Sequence, residues 1–246
     1  MDRDMTGEAV LLDLDGTLSD SRPGIEACFR YMLTELGHDS AAAGDLTWAV
    51  GPPIAVSIGR LLQQYQDDRV EAGLTIYRAR YSAVAIYDCA IYPGVPEMLD
   101  ALRESGCVLC IATSKRRDFA ERVIDYLGLG GRFRGVYGAE PGGGLDRKDD
   151  LLAHILMREE FAPEHTVMLG DRLHDIHAAQ ANALRSIGAG WGYGGEAELL
   201  AAGADAIAAK PGDVPGLVRA RSAPADRDAP SGARCRASPT TSARRR

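Results

Sequence analysis

The stretch LLDLDGTLSD, residues 11–20, joins the end of an apolar run to a group of acids. Residues 10–12 predict a strand that is buried on both faces, because they lack the polar alternation typical of a half-exposed strand. Asp13, Asp15 and Asp20 follow that run directly. Asp13 and Asp15 are two positions apart and would share one side of a continuing strand. The stretch therefore predicts a buried strand that delivers carboxylates to one place.

Short apolar runs alternate with helical patterns along much of the chain. The predicted strands are 8–14, 107–113, 135–139, 166–170 and 184–190. The predicted helices are 95–105, 117–128, 149–160 and 175–183. Strands that alternate with helices in this way predict an α/β fold with a doubly wound parallel sheet.

The segment 21–92 interrupts this alternation and contains no convincing strand. Three of its stretches have helical patterns, namely 25–37, 53–65 and 69–85. We therefore predict an α/β core of residues 1–20 and 93–220 that carries a small inserted helical domain, residues 21–92. Residues 221–246 are rich in Pro, Ser, Ala and Arg, and they predict a disordered tail because they offer little apolar surface to bury.

Composition limits the classes of function. The chain has 246 residues, a formal net charge of −7 and 46% hydrophobic residues, which is globular composition. The negative charge disfavours non-specific binding to nucleic acid or to an anionic membrane. No apolar run is long enough for a membrane span or a secretory signal, so we expect a cytoplasmic protein. Cys107 and Cys110 form a C-x-x-C pattern inside a predicted strand, where they face opposite sides and favour core packing over a redox or zinc site.

Polar residues follow three of the predicted strands, at the edge where ligands bind in open α/β sheets. They are Asp13, Asp15, Gly16, Thr113, Ser114, Lys115, Asp171 and Asp175. Turn formation explains any single aspartate equally well. It does not explain why several elements would place such residues at the same edge of the sheet. Carboxylates gathered around one point repel one another, so the pattern predicts a hard divalent cation, and Mg²⁺ fits a site of few protein oxygen ligands.

Lysine is rare in this chain, which has 25 arginines but only Lys115, Lys148 and Lys210. In a chain whose basic residues are mostly arginines, a lysine indicates a role for a compact point charge, such as contact with a phosphate. Lys148 stands at the start of a predicted helix and is the first candidate for that work. Lys210 lies near the end of the predicted fold and has no evident role.

Four of these motifs together resemble a known family. DLDGTLSDS (13–21), TSK (113–115), Lys148 and GDRLHD (170–175) are similar in order and spacing to the four signature motifs of haloacid dehalogenase-like phosphatases. The resemblance covers residues 8 to about 215. It implies a Rossmann-like core, and it implies that the helical insertion is the family's α-helical cap. One departure is Asp149, which stands after Lys148 where many relatives have proline.

The resemblance also implies roles in catalysis. Asp13 would be the nucleophile that forms an aspartyl-phosphate, and Asp15 would be the general acid and then the base. Thr113 would bind a phosphoryl oxygen, with Ser114 as an alternative for that role. Lys148 would neutralise charge on the phosphate and on Asp13.

The same resemblance implies the metal site. Mg²⁺ would be held by the Asp13 side chain, the Asp15 backbone carbonyl and the Asp171 side chain. Asp175 would orient Asp171 or a bound water. Gly16 would permit the turn that brings backbone N–H groups to the phosphate.

Within the family, the short cap, the GPP at 51–53 and the GWGYG at 190–194 look most like phosphoglycolate phosphatase-type members. We therefore expect a Mg²⁺-dependent phosphatase acting on a small phosphate monoester. The alternatives are a 5′-nucleotidase acting on nucleoside monophosphates and a β-phosphoglucomutase-like phosphomutase. A non-enzymatic alternative is a phospho-receiver domain, and the oligomeric state, monomer or dimer, stays open.

Overall fold

A computed structural model describes residues 8–140 and 144–220. Its strands are β1 (Ala9–Leu12), β2 (Ser19–Asp20), β3 (Ala90–Ile91), β4 (Val108–Arg116), β5 (Gly135–Ala139), β6 (Thr166–Gly170), β7 (Arg185–Ala189) and β8 (Ala206–Ala208). Its helices are α1 (Arg22–Glu35), α2 (Ile54–Gln63), α3 (Val70–Ala83), α4 (Val95–Glu104), α5 (Arg117–Tyr126), α6 (Lys148–Glu159), α7 (Leu173–Ala181), α8 (Gly195–Ala201) and α9 (Val214–Arg219).

Six strands form one parallel sheet in the order β5-β4-β1-β6-β7-β8. β1 lies in the middle, with β4 on one side and β6 on the other. The chain moves outward in one direction through β4 and β5 and in the other through β6 to β8. β1 is thus the switch point of the sheet, where ligands of open α/β folds bind beyond the strand ends. The predicted fold class is confirmed.

The sheet is buried on both faces, as the apolar runs predicted. Val10 and Leu12 belong to one apolar cluster, whereas Leu11 belongs to the cluster on the other face. Cys107 packs beside the first cluster and Cys110 lies in the second. The two thiols therefore face opposite sides of the sheet, and their C-x-x-C pattern is a packing feature.

Differences from the predicted elements occur where the sequence signal is short. Most predicted helices begin or end within about two residues of the observed ones, which is the usual uncertainty of helix ends. β8, α8 and α9 were not predicted. β3 lies inside 21–92, where we expected no strand, and pairs antiparallel with β2 through two residues each. Two residues are too few to show a periodic pattern.

The helical insertion, residues 22–87, follows β2 and returns to the core through β3. The ring of Phe29 in α1 packs against Tyr77 in α3, with ring centroids 5.0 Å apart. Gly73 lies where the three helices meet: a Cβ there would lie 3.0 Å from the Met32 sulfur and 3.1 Å from Ile58 Cγ2. The division into a core and an inserted cap domain stays a prediction, and the predicted tail, 221–246, lies outside the described residues.

None of the helices in the described ranges combines the length and the apolar character that a bilayer crossing demands.

Phe29→Ala tests the packing of the insertion. Phe29 is fully buried, so its truncation removes the contact with Tyr77 and leaves a cavity. We expect the free energy of unfolding to fall by about 3–5 kcal/mol, measured by urea denaturation. Met157→Ala, at a side chain that is 75% exposed, should change it by no more than about 0.5 kcal/mol. Equal effects of the two changes would contradict a packed core within the insertion.

Candidate active site

Three of the four acids at this edge of the sheet lie close together, whereas Asp15 lies beside them in a separate network. Asp13 follows β1, Asp171 follows the adjacent β6, and Asp175 lies in the first turn of α7. The three side chains are buried, and one carboxylate oxygen from each lies within 4.8 Å of the others. Within the described ranges this cluster contains no histidine, so its ligands are carboxylate oxygens, which suit a hard cation.

The Asp171 carboxylate is held on both sides. The Thr17 hydroxyl donates to Oδ1 at 3.1 Å, and the backbone N–H of Tyr193 donates to Oδ2 at 2.8 Å. Burial raises the pKa of Asp171 well above its usual range, and the charges of Asp13 and Asp175 add to that rise. The two hydrogen bonds thus fix the carboxylate in position, and its burial beside two other acids disfavours its charged form.

Lys148, the first residue of α6, supplies part of that charge. Its Nζ lies 2.9 Å from Asp13 Oδ1 and also contacts Asp175 Oδ1. Burial alone would lower the pKa of Lys148, but the two carboxylates raise it above its ordinary value. Burial raises the pKa of Asp13 to about 6, against the opposing effect of Lys148. One ammonium group therefore does not balance this set of acids.

Asp15 lies in a separate network that includes a residue of the insertion. Lys115 Nζ donates to Asp15 Oδ1 and to the Tyr81 hydroxyl, both at 2.7 Å, and Tyr81 belongs to α3. The Ser21 hydroxyl also donates to Asp15 Oδ1. Burial would lower the pKa of Lys115, but Asp15 and Tyr81 raise it above its ordinary value. The role of Lys115 was not evident from the sequence, although Lys115 is one of only three lysines in the chain.

The predicted phosphate-binding residues lie at the same edge. Thr113 and Ser114 are in β4, and both line a cavity of about 240 Å³ together with Asp13 and Asp15. The Thr113 hydroxyl accepts a hydrogen bond from the Lys115 backbone N–H at 3.2 Å.

Gly16 has a local role that the sequence did not indicate, and its predicted role towards the phosphate stays a prediction. Its own N–H donates to the Ser19 carbonyl at 2.8 Å, so that group already has a partner. Its φ of +89° and its closeness to Asp171 both require glycine, because a Cβ would lie 2.3 Å from Asp171 Oδ2. Gly16 thus makes room for the Asp171 carboxylate.

The loop after β7 joins the acidic site to the start of the insertion, and sequence analysis missed this link. Tyr193 binds Asp171 through its backbone, and its hydroxyl accepts from the N–H groups of Ser21 and Arg22 at 2.9 and 3.1 Å. The same hydroxyl donates to Asp20 Oδ1 at 3.0 Å. The sequence GWGYG at 190–194 resembled a feature of the family, but the sequence did not indicate these hydrogen bonds of Tyr193.

The cavity lies between the core and the insertion. The insertion contributes the loop 49–55 and residues of α3, including Tyr77, Arg78 and Tyr81. A second cavity of about 410 Å³ adjoins it at Pro53, Ser114 and Asp146 and reaches Lys148. Ligands that reach Asp13 therefore lie against both parts of the chain.

Comparisons with known proteins agree with this geometry. A family model described as haloacid dehalogenase-like hydrolase matches residues 10–189. The chain belongs to that family. A 5′-nucleotidase of Pseudomonas aeruginosa is 37% identical over 194 residues, which cover 78% of this chain and 86% of that protein. A phosphoglycolate phosphatase of Pseudomonas putida is 30% identical over 193 residues, which cover 75% of this chain and 70% of that protein.

Two further proteins are similar to this haloacid dehalogenase-like hydrolase. Tyrosine-protein kinase PtkA of Mycobacterium tuberculosis is 37% identical over 193 residues, which cover 76% of this chain but only 63% of that protein. The crystal structure of a predicted phosphatase from Clostridium acetobutylicum matches with a TM-score of 0.79 at 29% identity, covering 87% of this chain and 99% of that one. The predicted family, fold and phosphatase class are confirmed.

Lys115→Met tests the support of Asp15. Without the ammonium group, the buried Asp15 carboxylate loses its nearest cation and its link to Tyr81. We expect kcat to fall by roughly 10- to 100-fold with little change in KM, as a part of what general acid–base catalysis contributes. Tyr81→Phe removes only the hydroxyl and should cost a few-fold at most. A Lys115→Met enzyme with normal kcat would show that Asp15 works without this contact.

Gly192→Ala tests the space around Asp171. A Cβ at Gly192 would lie 2.2 Å from Asp171 Cβ and 2.5 Å from the Gly16 carbonyl oxygen. We expect at least a tenfold loss of activity and a loss of about 1–3 kcal/mol in stability, measured by steady-state kinetics and denaturation. Gly212→Ala is the control, because a Cβ there meets nothing within 4 Å. Similar results for both variants would contradict the tight packing.

Proposed function

We propose that this haloacid dehalogenase-like phosphatase hydrolyses a small phosphate monoester in a Mg²⁺-dependent reaction that passes through an aspartyl-phosphate on Asp13. The observation that carries the proposal is the convergence of Asp13, Asp171 and Asp175 beside Lys148, at the wall of a cavity. Buried acids this close together need a cation, and the cavity gives a substrate access to Asp13.

The residues fit a magnesium ion. Oδ1 of Asp13 and Oδ1 of Asp175 are buried and, among the described residues, accept no hydrogen bond of good geometry. Opposite ligands of Mg²⁺ lie about 4.2 Å apart, so oxygens within 4.8 Å need only small side-chain rotations. Asp13, Asp171 and the Asp15 carbonyl would hold the ion. When bound, it would neutralise negative charge on the acids and on a phosphoryl group.

The reaction follows from the placement of Asp13 and Asp15. A carboxylate oxygen of Asp13 attacks the phosphorus, a phosphorus–oxygen bond forms, and the ester bond to the leaving alcohol breaks. Asp15 gives its proton to the leaving oxygen. Asp15 then takes a proton from water, which attacks the phosphorus and releases phosphate and the Asp13 carboxylate. Lys115 and Ser21 contact only Oδ1 of Asp15, which leaves its other oxygen for proton transfer.

The substrate that we propose is phosphoglycolate or a similarly small monoester. The phosphoglycolate phosphatase relative supports this assignment. A 5′-nucleotidase is the second candidate, because a relative of that name is 37% identical over most of its length. A phosphomutase differs in its product, since it returns the phosphoryl group to the substrate. The receiver-domain alternative is set aside because the chain belongs to a hydrolase family. A cytoplasmic location stays a prediction.

Asp13→Asn tests the nucleophile. We expect kcat on every substrate to fall by roughly 10³-fold or more, because the amide oxygen is a poor nucleophile. Asp118→Asn makes the same chemical change at an exposed acid that pairs with Arg116, and it should keep full activity. The assay is phosphate release from phosphoglycolate, nucleoside monophosphates and sugar phosphates, with Mg²⁺ and after removal of metal by EDTA. Near-normal turnover by Asp13→Asn, or activity that survives EDTA, would contradict the proposal.

A further inference from the structure

Arg78 is a half-buried cation in α3 that has no acidic partner among the described residues. It lines the 240 Å³ cavity together with Asp13 and Asp15. Its Nε is shielded from solvent and has no hydrogen-bond partner within the described ranges. A buried donor on a charged group is costly unless something accepts from it.

The other arginines near this cavity do have partners. Arg116, which also lines the wall, forms hydrogen bonds with the Asp118 carboxylate at 2.9 and 3.0 Å. Arg80, two positions along α3, lies over the Tyr31 ring with 4.9 Å from its guanidinium carbon to the centroid. Arg78 therefore differs from Arg116 and Arg80, each of which has a partner.

The acids that share the cavity do not pair with Arg78. Asp13 contacts Lys148, and Asp15 contacts Lys115. Glu140 pairs with Arg117 at 3.2 Å. Asp146 also lines the wall, but it forms no ion pair with Arg78. The segment before α2 contributes apolar residues to the same wall, among them Ala49, Val50, Pro52 and Pro53.

We propose that Arg78 binds a second acidic group of the substrate, a carboxylate, while the phosphate of the same molecule lies at Asp13. The planar guanidinium matches a carboxylate with two parallel hydrogen bonds, and an apolar surround strengthens that contact. The proposal rests on the proposed phosphatase function and narrows its substrate class to short phosphate monoesters that carry a carboxylate.

The size of the cavity supports a short substrate. Its volume of about 240 Å³ is below the roughly 300–1,000 Å³ of pockets that hold drug-sized ligands. A two- or three-carbon monoester fits such a space. A nucleoside monophosphate would need the adjoining cavity as well, and its base carries no negative charge for Arg78.

The test compares two substrates that differ only at the proposed contact. Phosphoglycolate carries a carboxylate where ethyl phosphate carries a methyl group. We expect Arg78→Gln to lower kcat/KM for phosphoglycolate by roughly 30-fold or more and to change it for ethyl phosphate by less than threefold. Arg78→Lys keeps the charge and should recover part of the loss. Arg80→Gln, on the same helix, should match the wild type on both substrates.

Each other result overturns the proposal. Equal losses on both substrates would make Arg78 a structural residue, and no loss on phosphoglycolate would show that no carboxylate binds there. A wild-type enzyme that prefers nucleoside monophosphates, and keeps that preference in Arg78→Gln, would also overturn it. Thermal unfolding checks that Arg78→Gln folds. Failure of the proposed function is distinct, since the wild type would then release phosphate from no monoester at all.

Discussion

The repulsion among buried carboxylates at the switch point is the constraint on which this site depends. Asp13, Asp171 and Asp175 are brought within 4.8 Å by strands and a helix that cannot spread apart without breaking the sheet. Lys148 compensates part of the charge, and burial, together with the neighbouring acids, raises the pKa of both Asp13 and Asp171. In the function that we propose, a divalent cation would offset the rest of this negative charge together with the charge of a phosphoryl group.

The insertion is tied to the catalytic groups by hydrogen bonds as well as by packing. Tyr81 meets Lys115, which in turn holds Asp15. Arg172, directly after Asp171, donates to the Val50 carbonyl and to Glu198. These contacts place the apolar loop and α3 over the phosphate end of the cavity. In the function that we propose, the core would supply the chemistry, and the insertion would supply the surface that distinguishes one alcohol from another.

Several residues of the candidate site could be predicted from the sequence because the patterns that indicate them involve neighbouring residues. Asp13 and Asp15 come directly after one buried strand, and Asp171 and Asp175 come after the fourth predicted strand. Lys148 was found because lysine is rare in this chain. Other residues could not be predicted in this way. The backbone N–H of Tyr193 binds Asp171, 22 positions away, and its hydroxyl binds Ser21, 172 positions away, and no local pattern encodes such contacts.

The sequence by itself determined the alternation of strands and helices, the place of the insertion and the identity of the acids, because hydrophobic periodicity and motif spacing are properties of neighbouring residues. The tertiary structure alone decided which strands adjoin β1, that Lys115 reaches Asp15, and that Arg78 has no acidic partner in the described ranges. These facts depend on distances between segments far apart in the chain. The pairing of the core strands and the packing of the insertion against the core set those distances.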